Sequence, residues 1–243
     1  MTEPEQVKKH EGVNMFDDKG FTLIELLIAL AIAALVMTGI YSTYMNQQQA
    51  YLVQKELVAA QQNLRASMYL IGRDLRMAGF REEINDTSVT GPIIKPADRT
   101  LIHFIVGNKE IEYSLFDSLG DGDTELGRRY YDKGETESDK KKRQAVAENI
   151  DALDFVYLGE DGSRLDDNDG AWDGTDSEAD IVSVEVTIVA RVDRIDINYT
   201  DNQAYTNKRG DVILPAQNDN FRRRVLTQRI QCRNLALIIR GGN

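Results

Sequence analysis

One stretch constrains this chain more than any other. Residues 21–41 read FTLIELLIALAIAALVMTGIY, and 17 of these 21 residues are apolar, the exceptions being Thr22, Glu25, Thr38 and Gly39. As a helix rising ~1.5 Å per residue, the segment is about 31 Å long, enough to cross the hydrocarbon of a bilayer. Eleven of its residues are Leu, Ile, Val or Phe. At roughly −0.3 to −0.6 kcal/mol each, they favour insertion by about 3 to 7 kcal/mol. Glu25 opposes this by up to ~3 kcal/mol at mid-membrane and by less near a helix end, so the balance predicts a single span. Lys8, Lys9 and Lys19 precede it, which places the N-terminus on the cytoplasmic side and everything after Tyr41 outside. The run is too long for an ordinary secretory signal, and no small-x-small site follows it.

Composition narrows the remainder. The other residues are polar enough that the mean hydropathy of the chain is −0.42, which excludes a multi-pass membrane protein. A length of 243 residues suits one or two domains with a real core. The net charge of −11 argues against broad electrostatic affinity for nucleic acid. The single cysteine, Cys232, excludes an intrachain disulfide and a Cys-rich zinc site. Only His10 and His103 are available for histidine chemistry. The sequence contains no G-x-S-x-G, H-E-x-x-H or P-loop, so no enzyme is expected.

Glu25 needs a reason to stand in an apolar helix, because an ionisable group in lipid is costly without a partner. If the chain is cut between Gly20 and Phe21, Phe21 gains an α-amino group about one helical turn from Glu25. A neighbouring copy shifted along the axis would then bring its amine to that carboxylate and set the register of assembly. The run G-F-T-L-I-E-L, residues 20–26, resembles the cleavage and methylation motif of type IV prepilins and pseudopilins. The resemblance implies that a prepilin peptidase cuts after Gly20 and methylates Phe21, and that Glu25 pairs with the N-terminus of an adjacent subunit. Residues 1–20 are then a leader; initiation at Met15 would shorten it to MFDDKG. The helix-kinking proline of many major pilins has no counterpart in Ile40-Tyr41-Ser42-Thr43, so no kink is expected.

Residues 42–80 contain no proline, and Val53, Leu57, Ala60, Leu64, Met68, Ile71, Leu75 and Ala78 recur at spacings of three and four. This predicts one apolar stripe on a helix continuous with the span, nearly 90 Å from residue 21 to about Ala78 at ~1.5 Å per residue, and stopping at Gly79. From residue 81 to 243 the pattern becomes strand-like. Strands are predicted at Leu101–Val106 and 110–116, joined by Gly107-Asn108-Lys109, and at 154–158, 181–192 and 224–233. In 181–192 the residues Val182, Val184, Val186, Ile188, Ala190 and Val192 share one face, with Val189 as an exception. The expected architecture is α+β: a long N-terminal helix whose second half packs on an antiparallel sheet.

Two further runs, R-D-L-R-M-A-G-F at 73–80 and R-R-R-V-L-T-Q-R-I-Q-C-R-N-L at 222–235, resemble the PilW type of minor pilin, related to the J-type pseudopilin of type II secretion. That resemblance implies a scarce structural subunit that joins other minor pilins and the major pilin, primes fibre assembly at an inner-membrane platform and ends at the pilus tip. A J-type pseudopilin and a tip adhesin or DNA-binding minor pilin are the alternatives. Two acidic loops stand apart. The second, 161–180, places Asp166, Asp167, Asn168, Asp169, Asp173 and Asp176 close together, a candidate calcium site outside the EF-hand pattern. The first, 117–125, and the basic runs 140–143 and 222–224 are read as solvated or ion-paired surface, and Cys232 and His103 as core residues.

Overall fold

The computed structural model describes residues 20–80, 93–94, 98–120, 122–132, 143–165 and 180–235. They divide into two units, one ending at Tyr51 and the other beginning at Leu52. Helix α1 runs Leu23–Met77, 55 residues without a break. No proline interrupts it, and Thr38 and Thr43 return their hydroxyls to the carbonyls of Ala34 and Gly39 at 2.8 and 3.0 Å. In the first unit the helix buries nothing: its Leu, Ile and Val side chains lie open, Leu23 at 79% and Leu35 at 76% exposure. It contains the only described helix long and apolar enough to span a membrane.

In the second unit the predicted stripe is the buried face. Ala60, Leu64, Met68, Ile71 and Leu75 are buried, the last two completely. The helix ends where expected. Gly79 takes φ +77°, a conformation that is strained for any residue with a Cβ, and its N–H donates to the Ile105 carbonyl at 2.9 Å.

Among the described residues nine strands follow: β1 Leu101–Val106, β2 Lys109–Phe116, β3 Glu125–Asp132, β4 Gln144–Ala147, β5 Ile150–Leu158, β6 Ser183–Arg191, β7 Tyr205–Thr206, β8 Val212–Leu214 and β9 Arg223–Gln231. All pairings are antiparallel. The expected single sheet is instead two, a meander β1-β2-β3-β4 and a three-stranded sheet β5-β6-β9, with β7-β8 as a separate hairpin. The β1–β2 connection is tighter than the sequence suggests. Val106 pairs with Lys109, leaving Gly107 and Asn108 as the turn, and Gly107 has φ +59°, as a glycine-first hairpin turn requires.

One core joins these parts. Leu64, Met68, Ile71 and Leu75 of α1, with Ala78 just beyond its end, meet Ile102, Phe104 and Tyr113 of the first sheet and Phe155, Val186 and Ile188 of the second. The exception at Val189 now has its reason. Strand β6 is buried on both faces, and Val189 points away from the main core into a smaller cluster with Ala152 and Tyr205, closed by Ile213 and Leu214 of the hairpin. Cys232 lies in the main core, as expected, and burial pushes its thiol up to about 12.

Asp74 is the polar point of this packing. It is 5% exposed on the flank of the stripe, and it accepts from the Tyr113 hydroxyl at 2.8 Å, from Arg128 Nε at 2.8 Å and from Arg73 Nε at 2.9 Å. A buried carboxylate costs several kcal/mol unless paired and hydrogen-bonded. Here one acid of α1 satisfies both β2 and β3, tying the helix to that sheet in a single rotational setting.

Candidate functional site

The residues expected to carry processing and assembly are at the start of α1. Gly20 and Phe21 precede the helix and are open, Phe21 at 90% exposure, so the peptide between them is accessible. Glu25 is not idle in this single chain. Its Oε2 accepts from the backbone N–H of Thr22 and from the Thr22 hydroxyl, both at 2.9 Å, while Thr22 Oγ1 faces the Glu25 N–H at 3.4 Å. Thr22 is therefore the N-cap and Glu25 the third helical residue of a capping box, each satisfying a donor that the first turn would otherwise leave bare. Thr22 was not singled out from the sequence, although T-x-x-E before an apolar run is the signature of this arrangement. Downstream, a Cβ at Gly39 would have nothing within 4 Å, and Gly39 helps line a shallow groove with Val36, Ile40, Thr43, Tyr44 and Gln47.

The second concentration of polar chemistry lies around β9. Arg222, Arg223 and Arg224 were expected to share one surface role, and the structure separates them. Arg222 pairs with Asp196 at 2.9 Å and lies over the Tyr199 ring, 4.1 Å from its centre. Arg224 is exposed. Arg223 is inside, its side chain 3% exposed, and reaches Asp151, Asp201 at 2.9 Å and Asp219 at 2.6 Å. Burial works against its charge, but the three carboxylates hold its pKa above the usual arginine value. Asp201 is 1% exposed and also accepts from the Tyr205 hydroxyl at 2.9 Å. Burial and that carboxylate push the Tyr205 phenol up to about 12. A neighbouring network links Asp154 to Arg99 at 2.7 Å and to Asn207 at 3.0 Å, and Asn207 and Arg164 to Asp211 at 2.9 and 2.8 Å. These groups fasten β7, β8 and the loop between β6 and β9 onto the second sheet. None is arranged as a nucleophile with a base.

Comparison with known families follows this division. The family described as "Prokaryotic N-terminal methylation motif" matches residues 15–41. The family described as "Type IV Pilus-assembly protein W" matches residues 113–234, half of the chain, from within β2 to beyond the end of β9. The chain belongs to the type IV pilus-assembly protein W family. Among solved structures, a type IV-like pilin from Thermus thermophilus is 14% identical with a TM-score of 0.41, over 72% of this chain and 97% of that one. No curated protein matches the chain.

The other expected sites of this PilW-family chain fare differently. Asp166, Asp167, Asn168, Asp169, Asp173 and Asp176, the candidate calcium ligands, lie outside the described residues, as do Lys140, Lys141 and Lys142. Among the described residues no group of His, Cys, Asp and Glu is placed to hold a metal ion. In the first acidic loop Asp117 accepts from the N–H groups of Leu119 and Gly122 at 3.2 and 2.9 Å, and Glu125 from the N–H and hydroxyl of Ser118. These carboxylates fold their own loop. Arg143 pairs with Glu112 and covers the Phe116 ring. His103 is half-buried at the sheet surface, its Nε2 2.7 Å from Glu110 and 3.1 Å from the Tyr131 hydroxyl.

The carboxylates around β9 predict an acid response. Asp196, Asp211 and Asp219 are held below the usual carboxylate value, first by hydrogen bonds from Arg222, Asn207 and Arg223 respectively. Each contributes stability that is present above the unfolded pKa and is lost as pH falls through its folded value. Asp151 is raised by burial against the pull of Arg223, so its contribution has the opposite sign and is lost as pH rises. Three against one, the thermal midpoint should fall as pH drops below about 4. Asp219→Asn should lessen that fall, and an unchanged acid limb in that variant would contradict the assignment.

Proposed function

We propose that the protein is a minor pilin, made as a single-span inner-membrane precursor, cut between Gly20 and Phe21, methylated on Phe21 and inserted into a type IV pilus, where it primes assembly and remains at the tip. The observation that carries this reading is the start of α1. A helix whose apolar side chains are exposed from Leu23 to Ile40 is covered by none of the described residues, and its first turn holds a carboxylate. Lipid covers such a surface before assembly, and neighbouring helices cover it afterwards. Glu25, shared between its own cap and the amine of an adjacent Phe21, sets the axial register. The partners are the other minor pilins, the major pilin, the prepilin peptidase and the assembly platform, and the role is structural rather than catalytic.

The test is made on the full chain in its own cells. Mass spectrometry of the mature protein should find an N-terminal methylated Phe21. Gly20→Val should leave the whole pool at precursor size, because the peptidase site no longer accepts the residue before the cut. Recovery of a fully processed, fibre-borne Gly20→Val protein would overturn the proposal.

A further inference from the structure

The outward face of α1 in the second unit is one-signed. With 100° per residue, Lys55, Val58, Gln62, Arg65, Tyr69, Arg73 and Arg76 fall within one stripe opposite the buried Ala60, Leu64, Ile71 and Leu75. Lys55, Arg65, Arg73 and Arg76 are exposed, Tyr69 is 70% and Val58 51% exposed, and no acid shares the stripe. Solvent-facing helices ordinarily mix signs, because opposite charges three or four residues apart stabilise the helix and like charges weaken it. This stripe lies in a chain with 40 acidic and 29 basic residues. Several arginines outside the helix use that surplus: Arg99, Arg128, Arg164 and Arg223 are ion-paired within the chain. On the stripe only Arg73 is paired, with Asp74, and Lys55, Arg65 and Arg76 have no ion-pair partner among the described residues.

We infer that this stripe is a docking surface for an acidic face of a neighbouring fibre subunit, a reading that rests on the proposed function. The three unpaired cations are spaced 10 and 11 residues apart, about 15 Å at each step. They fit a partner surface, a helix or a sheet edge, that carries carboxylates at that interval. Val58 and Tyr69 lie between the cations, so the partner supplies apolar contact between its acids, with Tyr69 as an aromatic anchor. Nucleic acid fits less well, because the rest of the chain is acidic and repels a polyanion.

A photoreactive phenylalanine analogue placed at Tyr69, in the full chain in producing cells, tests this, with the same analogue at Ile32 as a control for fibre insertion. The expected result is a Tyr69 adduct with an Asp- or Glu-bearing peptide of another pilus subunit. The K55E/R65E double variant should reduce its yield about tenfold, and the milder K55Q/R65Q should reduce it less, with the Ile32 adduct unchanged. Reversing the partner's acids should restore the K55E/R65E yield. An Ile32 adduct without a Tyr69 adduct, a Tyr69 adduct with nucleic acid, or a yield indifferent to both double variants would overturn the inference and leave the fibre reading standing. Loss of both adducts in the otherwise unaltered chain would overturn both.

Discussion

Arg223→Met should lower the unfolding free energy of the detergent-solubilised chain by about 3–5 kcal/mol, whereas Arg224→Met, one residue away, should change it by no more than about 0.5 kcal/mol. The two side chains look alike in the sequence, and strand alternation sends them to opposite faces. Arg223 is closed over, and Asp201 beside it is 1% exposed. Methionine keeps most of the volume but removes the donors. Asp201 would retain only the Tyr205 hydroxyl, and its other oxygen, Oδ1, is buried and has no hydrogen-bond partner among the described residues even in the native arrangement. Breaking a buried pair from one side costs more than the pair contributes, because the remaining charge stays out of water. Urea denaturation read by tryptophan fluorescence or far-UV dichroism measures the difference. Equal losses in the two variants would mean that the Arg223 cluster is not closed in solution.

Glu25→Ala should leave membrane insertion and processing intact and reduce fibre incorporation about tenfold or more. Insertion cannot be the cause of such a loss, because removing a carboxylate from an apolar span makes insertion more favourable, by up to ~3 kcal/mol. Two causes remain, and a conservative substitution separates them. Glu25 caps its own helix through Thr22, and in the proposed function it is also the acid that meets a neighbour's amine. Glutamine preserves a capping box but not the charge. Glu25→Gln should therefore fail like Glu25→Ala if the amine pairing sets assembly, and should assemble normally if the cap alone matters. Fractionation of sheared fibres against membranes, with immunodetection of the mature protein, reads both variants. Normal incorporation of Glu25→Ala would remove the carboxylate from the mechanism.

What the sequence disclosed and what it withheld follow from the range of the interactions. The α1 stripe and its stop at Gly79 are set by neighbours three and four residues apart, and both were legible. So was β6, whose alternation is nearly complete. The division into two sheets was not, because β3 reads ELGRRYYD, where charged residues that pair across the sheet interrupt the apolar alternation. The burial of Arg223 was hidden for a related reason: its acids, Asp151, Asp201 and Asp219, come from β5 and from the loops that precede β9. Asp74 gave a weak signal as an acid between Ile71 and Leu75, on the edge of a stripe that should exclude it. The Thr22–Glu25 cap is legible as T-x-x-E before an apolar run, but the charge of Glu25 in an apolar span draws attention away from it.

The sealed position of Cys232 makes the chain a convenient substrate for labelling. Its only thiol is fully enclosed, with a pKa of about 12, and is protonated and inaccessible at neutral pH. A cysteine introduced on the surface would be the sole site open to maleimide dyes, so spectroscopic rulers or spin probes can be placed on α1 without first removing a native background.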